Sequence, residues 1–266
     1  MRKGEDLVIR RLLPEELGRL LETINREQHF LYYSYLTFRK NQTVHYGQFS
    51  EHGELLGVAA FLKGLPFYAF SVYPLQTSFR FRSVLSRMIQ DLELPDGALG
   101  SFIVSEDEWA VLNSEVDVAK PPAGILLMKH RHLEDLPVGD NEVFRLDPSY
   151  FDMIESKMAE FHSMAFAREE LHHPFYGIVQ DQELIAVGGY HIYSDDYVEL
   201  GNIGTDAAWR RQGYGKKVCA ELTRKGRAIT PHVYLNVLED NLSAVRLYQS
   251  LGYVTVCKQY IVEFGL

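Results

Sequence analysis

Cysteine is scarce in this chain of 266 residues: Cys219 and Cys257 are all it has, too few for a disulfide framework or a cysteine zinc centre. Both read as small core residues. Long apolar runs are missing too. No stretch approaches the roughly 20 residues that cross a bilayer, and the opening MRKGEDLVIRRLLPEELG is charged where a secretory leader would be apolar. A cytoplasmic location without a membrane partner is the expectation. Positive charge is in deficit, 27 Lys and Arg against 36 Asp and Glu, which argues against nucleic acid as a partner. No HExxH, paired-cysteine or Gly-x-Ser-x-Gly pattern occurs, so no metal and no covalent nucleophile is expected. A P-loop would need Ser or Thr where Lys217 stands, and a dinucleotide loop a third glycine where Val218 stands.

What the chain does have is a core's worth of apolar residues, 46%, arranged twice in a similar order. Leu7 to Ile24 reads as a short strand and then a helix with Pro14 at its start; Glu142 to Met158 repeats this with Pro148. Val44 to Pro74 holds three apolar runs broken by SEHGE and KGLP, a strand meander. Pro174 to Asp206 holds three more, broken by QDQE and YSDD. Tyr46-Gly47 answers Tyr176-Gly177, and Glu54-Leu55-Leu56 answers Glu183-Leu184-Ile185. Helical segments follow at Phe81 and Gly215, and each half then shows a further strand and helix. Repetition in order at a similar offset points to two related α/β units, 1–133 and 134–266, parted at the proline- and glycine-bearing EDLPVGDN. The aromatics Phe30, Tyr32, Tyr33, Tyr35, Phe67, Tyr68 and Phe70 of the first unit read as core and interdomain packing rather than a ligand box.

The halves differ in charge and in one turn. Residues 133–266 carry 12 basic and 20 acidic residues, yet 7 of those bases fall between Arg210 and Arg227. There an apolar run passes through Arg210-Arg211-Gln212-Gly213-Tyr214-Gly215 into a helical pattern. Bare glycine backbone beside the unpaired amides of a helix start suits a polyphosphate. The matching connection in the first half, YPLQTSFRFRS, is bulky, so one such site is expected, in the second unit.

Arg210-x-x-Gly213-x-Gly215 resembles the first signature of the GNAT acetyltransferase superfamily, and Asn241-x-x-Ala244-x-x-Leu247-Tyr248-x-x-x-Gly252-Tyr253 resembles its second. The fold implied is α/β, a tandem of two GNAT-like units, each a twisted mixed sheet flanked by helices, the first degenerate. The resemblance further implies acetyl-CoA or another acyl-CoA as co-substrate, its pyrophosphate on the amides from Gln212 to Lys216 beside Arg210 and Arg211, with Gly213, Tyr214 and Gly215 in the turn. Its pantetheine arm is expected along Ile203, Gly204 and Thr205, where Gly201 and Gly204 mark a bulge or close approach. Asn241 suits a helix cap, and the resemblance adds a bond to pantetheine; Asn236 would face cofactor or substrate.

The implied reaction is N-acetylation of a small-molecule or peptide amine by direct attack in a ternary complex. Tyr248 stands where the family places the proton donor to the departing thiolate, and a phenol of pKa about 10 stays protonated near neutrality. Its alternative is a core tyrosine beside Val245 and Leu251. Glu199 is the candidate general base; its competitors are a water chain, Tyr190, His191, Glu170, His172 and His173. The rival to transfer is an acyl-CoA-binding module without turnover. The first unit would frame the acceptor site or support the second, and the arrangement leaves room for a homodimer.

Overall fold

The computed structural model describes residues 7–163 and 166–266; the charged segment 1–6 of the opening stretch lies outside them. The chain packs as two compact units. One runs to Ile125 and includes Cys257–Leu266, and the other is Leu126–Val256.

The first half gives β1 (Val8–Arg11), α1 (Pro14–Thr23), α2 (Phe30–Leu36), β2 (Thr43–Phe49), β3 (Leu55–Leu62), β4 (Tyr68–Pro74), α3 (Phe81–Leu92), β5 (Leu99–Ser105), α4 (Glu106–Leu112) and β6 (Ala123–His130). The second half follows with β7 (Phe144–Leu146), α5 (Phe151–Glu160), β8 (Phe175–Gln180), β9 (Glu183–Tyr193), β10 (Val198–Thr205), α6 (Tyr214–Arg227), β11 (Val233–Leu238), α7 (Leu242–Gln249) and β12 (Tyr253–Gly265). Among the described residues no helix is long and apolar enough to cross a membrane.

Local chemistry places several of these elements. Pro14 opens α1, where its missing N–H costs nothing, and the Glu16 carboxylate accepts from the Leu13 amide at 2.8 Å. Ser105 caps α4 by accepting from the Glu108 amide, and Glu108 returns the bond to the Ser105 amide at 2.7 Å. The meanders that the turn signals predict are β2-β3-β4 and β8-β9-β10, antiparallel in register. Arg11 stands opposite Tyr46 and Arg145 opposite Tyr176, so the two Tyr-Gly pairs occupy the same place in their sheets.

Both glycines of those pairs sit under leucines. A Cβ on Gly47 would lie 2.6 Å from Leu12 and 2.9 Å from Leu55; one on Gly177 would lie 2.7 Å from Leu184 and 2.9 Å from the Ala186 carbonyl oxygen. The oxygen is backbone and cannot swing aside. Gly177→Ala is therefore expected to cost about 2 kcal/mol, read as a lower thermal midpoint, while Gly18→Ala, with nothing within 4 Å, leaves the midpoint in place or raises it.

Sheet membership departs from the order of the sequence. The first unit's sheet runs β1-β2-β3-β4-β5-β12 and the second's β6-β11-β10-β9-β8-β7, so each takes its closing strand from the other half of the chain. Gln259 to Gly265 of β12 run antiparallel to Leu99–Ser105, and Val262 and Phe264 are fully buried among Phe70, Phe81 and Phe102. The division expected at 133/134 thus falls in the structure at 125/126, with the last ten residues returned to the first unit. Composition marks where the linker is polar. It does not mark which sheet a strand completes. Helix α2 and both closing strands also lie outside the elements read from the sequence, although GILLMKH and YVTVCKQYIVEF are strand-like runs. Of the aromatics assigned to packing, Phe30, Tyr32, Tyr35 and Phe70 are buried, while Phe67 is exposed.

Candidate active site

In the second unit β10 lies antiparallel to β9 on one side and parallel to β11 on the other. The parallel pairing holds for Val198↔Val233, Glu199↔Tyr234 and Leu200↔Leu235, where the register with β11 ends. Toward β9 the register shifts twice, after Glu199 and between Gly201 and Gly204, with Asn202 in the left-handed region at φ 55°. An added residue in a strand raises its local twist. The bulged β10 therefore turns away from β11 and the sheet forks.

The bulge is held by a buried polar cluster. Asn202 donates to the Glu170 carboxylate at 2.5 Å and accepts from the Ser163 hydroxyl at 3.0 Å; Glu170 also meets His191 Nδ1 at 3.0 Å. Glu170 and His191, read from the sequence as rival bases, thus fix the strand. The glycines have packing reasons as well. A Cβ on Gly201 would lie 2.1 Å from the His191 ring, and one on Gly204 2.1 Å from Phe161. The close approach expected at Gly201 and Gly204 is an approach of rings. Gly204 and Thr205 rejoin β9 opposite Val187 and Ala186, and Ile203 packs partly buried beside the core of this unit.

Beyond β10 the chain turns through the glycine segment into α6. The first intrahelical bond is Lys217 N–H to the Gly213 carbonyl at 3.1 Å, and no side chain caps the helix start. The amides of Gly213 to Lys216 are thus left as outward donors at the positive end of the helix dipole. Gly213 has φ 89° and open space around an added Cβ. Gly215 has a different reason, since its Cβ would stand 3.0 Å from Thr205 Oγ1.

The basic side chains divide. Arg210 Nε donates to the Thr205 carbonyl at 3.0 Å and braces the turn against β10, and Gln212 reaches the Ala208 carbonyl at 3.3 Å. Lys217 turns away to an ion pair with Asp140 at 3.0 Å and to Glu142, which raise its pKa. Arg211 and Lys216 are exposed at the turn. Tyr214 accepts from Gln180 Nε2 at 3.1 Å. The equivalent start of α3 in the first unit is closed: the Arg80 amide donates to Gln48 Oε1 at 2.7 Å, and Phe79 and Phe81 are fully buried there.

At the fork itself stand Glu199 and Asn236. Glu199 is 8% exposed and accepts from Asn236 Nδ2 at 2.9 Å, while Asn236 Oδ1 is buried with no hydrogen-bond partner among the described residues. Such an orphaned acceptor costs about 1–3 kcal/mol. Tyr234, the register partner of Glu199, carries Lys129 Nζ over its ring at 5.2 Å.

Tyr248 on α7 is buried at 8% exposure in the core cluster of this unit, with its ring 6.0 Å from Tyr253. Burial, foremost, and then Cys219 and Tyr253 push its phenol well above the usual 10, so it is a hydrogen donor at any physiological pH. Asn241 caps α7 by accepting from the Ala244 amide at 3.2 Å. Tyr190 donates to the Leu222 carbonyl at 2.8 Å and burial raises its pKa, which suits packing rather than proton acceptance. His172 and His173 line a separate cavity of about 470 Å³ with Arg145, Pro148 and Phe151. Cys219 is fully enclosed and its thiol is pushed up to about 12, so it is no nucleophile.

The sequence names both members of the Glu199–Asn236 pair but not their bond, because they sit on different strands. Asn202, set between glycines in GNIG, is missed; a polar residue in a glycine-flanked strand is the signal that could have found the bulge.

Residues 134–253 match the acetyltransferase (GNAT) family. No curated protein sequence matches the chain. Among solved structures, a Drosophila protein is similar with a TM-score of 0.67 at 15% identity, covering 98% of this chain and 99% of that one. A GCN5-related N-acetyltransferase from Sphaerobacter thermophilus gives 0.65 at 13% identity, covering 97% and 95%. A tandem GNAT protein from the clavulanic acid biosynthesis pathway gives 0.65 at 14% identity, covering 98% of each. Likenesses at such identities carry the fold, here two GNAT-like units in one chain.

Proposed function

Residues 134–253 are a domain of the acetyltransferase (GNAT) family, and on that premise we propose that the second unit transfers an acetyl or other small acyl group from coenzyme A to an amine, by direct attack in a ternary complex. The observation that carries this reading is the fork. Register between β10 and β11 ends at Leu200 and Leu235, and the strand leads straight to the uncapped start of α6.

The residues fit an acyl-CoA. The amides of Gly213 to Lys216, with Arg211 and Lys216 beside them, would hold the pyrophosphate, and Ile203, Gly204 and Thr205 would offer strand backbone to the pantetheine arm. Arg210, Gln212, Tyr214 and Gly215 shape the turn. Asn241 serves the site by starting α7. The plugged start of α3 in the first unit argues for one acyl-CoA per chain.

Bound acyl-CoA supplies an activated thioester. Glu199 takes a proton from the acceptor's ammonium group, so that the nitrogen lone pair can form the new C–N bond. Tyr248 donates its phenolic proton to the sulfur, which leaves with the C–S bonding pair; the new amide nitrogen sheds its second proton to solvent, and Tyr248 regains one from solvent.

Release of CoA thiol from acetyl-CoA over a panel of amines tests the reading. Tyr248→Phe is expected to lower kcat roughly 100-fold while the affinity for CoA holds. Its thermal midpoint should move little, because the ring that packs 6.0 Å from Tyr253 is kept. Tight CoA binding without turnover on any amine would replace the reading with a binding module.

A further inference from the structure

We propose that the cavity at the start of α5 is a second small-molecule site, which takes a free α-amino acid with an apolar side chain. Strands β8 and β9 separate β7, which lines it, from β10. Three strand spacings amount to roughly 14 Å, so the cavity is not the fork and the inference goes beyond the transfer reading.

The cavity of about 470 Å³ has the size of a small-metabolite site. Its apolar side is Leu146 and Leu171, both buried in the cluster that packs α5, with half-buried Phe151 beside them. Its exposed rim carries Arg145 and Asp147. An apolar side chain laid on the first three releases water from their surfaces. The rim would hold its polar end.

The rim charges are opposite and do not meet. Arg145 and Asp147 stand two residues apart, and among the described residues they form no ion pair. Asp147 accepts from the Ser149 hydroxyl at 2.5 Å and from the Ser149 amide at 2.8 Å, both on Oδ1. These bonds hold its carboxyl below the usual carboxylate range. Near neutral pH it is thus an anion with Oδ2 to spare.

The internal repeat shows what the fold needs at this place. Arg11 and Tyr46 occupy the positions of Arg145 and Tyr176, and the Arg11 guanidinium is engaged by the Tyr46 hydroxyl at 3.0 Å. Among the described residues Arg145 makes no such bond. Leu13 stands before Pro14 where Asp147 stands before Pro148. The first unit therefore builds the same strand and helix start without a spare charge of either sign. A guanidinium grips a carboxylate through two parallel bonds, and Asp147 Oδ2 suits an ammonium. One carbon bearing both groups and an apolar side chain is an α-amino acid.

Titration calorimetry on the whole chain tests the site with L-phenylalanine, with 3-phenylpropionate, which lacks the ammonium, and with 2-phenylethylamine, which lacks the carboxylate. L-Phenylalanine should bind at least tenfold more tightly than either, and at least tenfold more tightly than glycine, which has no side chain for the apolar side. Asp147→Asn can still accept from Ser149 and keeps the turn. It should weaken L-phenylalanine at least tenfold and leave 3-phenylpropionate unchanged. Arg145→Gln, at an exposed position, should weaken both carboxylates and leave 2-phenylethylamine unchanged. Equal affinities for the three probes, no binding of L-phenylalanine at millimolar concentration, or binding that survives both variants overturns the site. Glu199→Gln should leave the affinity for L-phenylalanine as it is; loss of binding there would put the amino acid in the fork and overturn the inference. None of these measurements needs turnover, so failure of the transfer reading would leave them standing.

Discussion

Gly213→Leu weakens binding of CoA at least 100-fold in titration calorimetry, while the protein stays folded and loses only a few degrees of thermal midpoint. The two halves of this expectation have separate causes. Gly213 holds φ 89°, which an L-residue adopts at a cost of about 1–2 kcal/mol, but an added Cβ meets nothing within 4 Å. The fold can accept the side chain. The space it enters is the space in front of the amides of Gly213 to Lys216, where the pyrophosphate would lie. A hundredfold loss is about 2.7 kcal/mol, comparable to two charge-assisted hydrogen bonds. Gly97→Leu is the control: Gly97 also has positive φ, 74°, and open space, but lies in the first unit. It should share the small loss of stability and keep full affinity. Undiminished binding by Gly213→Leu would remove the turn from the site.

Glu199→Gln should lower kcat/KM for the amine by roughly 1000-fold near neutral pH, with the affinity for CoA unchanged. Glutamine can still accept from Asn236 Nδ2, so the change removes the proton acceptor and keeps the shape. Only the fraction of amine already unprotonated then reacts. The logarithm of kcat/KM should accordingly climb with pH at unit slope up to the amine's own pKa, where the native protein levels off earlier. Activity within a few-fold of native would move the base elsewhere. His191, held at 3.0 Å by Glu170, is then the group to replace.

These expectations draw unevenly on sequence and structure. The meanders were legible because apolar runs of strand length are cut by SEHGE, KGLP, QDQE and YSDD, which are local signals. The starts of α1 and α6 were legible for the same reason, through Pro14 and Gly213. The burial of Tyr248 and the capping by Asn241 follow from helical spacing and from asparagine's reach to its own backbone. The charge count overstated the turn, since Lys217 points to Asp140 and Glu142 rather than to the helix start. Sequence adjacency says nothing about where a long side chain finds its partner.

By itself the sequence determined the two strand meanders, the helix starts at Pro14 and Gly213 and the glycine turn, because each rests on signals between near neighbours along the chain, whereas α2, β6 and β12 escaped it. Only the tertiary structure decided that the closing strands exchange between halves. It alone set a bulge pinned by Glu170 and Asn202 to open the fork, and it alone joined Glu199 to Asn236, 37 positions apart. The physical reason is that strand pairing and buried hydrogen bonds are settled by which surfaces meet, and a residue's type does not reveal its distant partner.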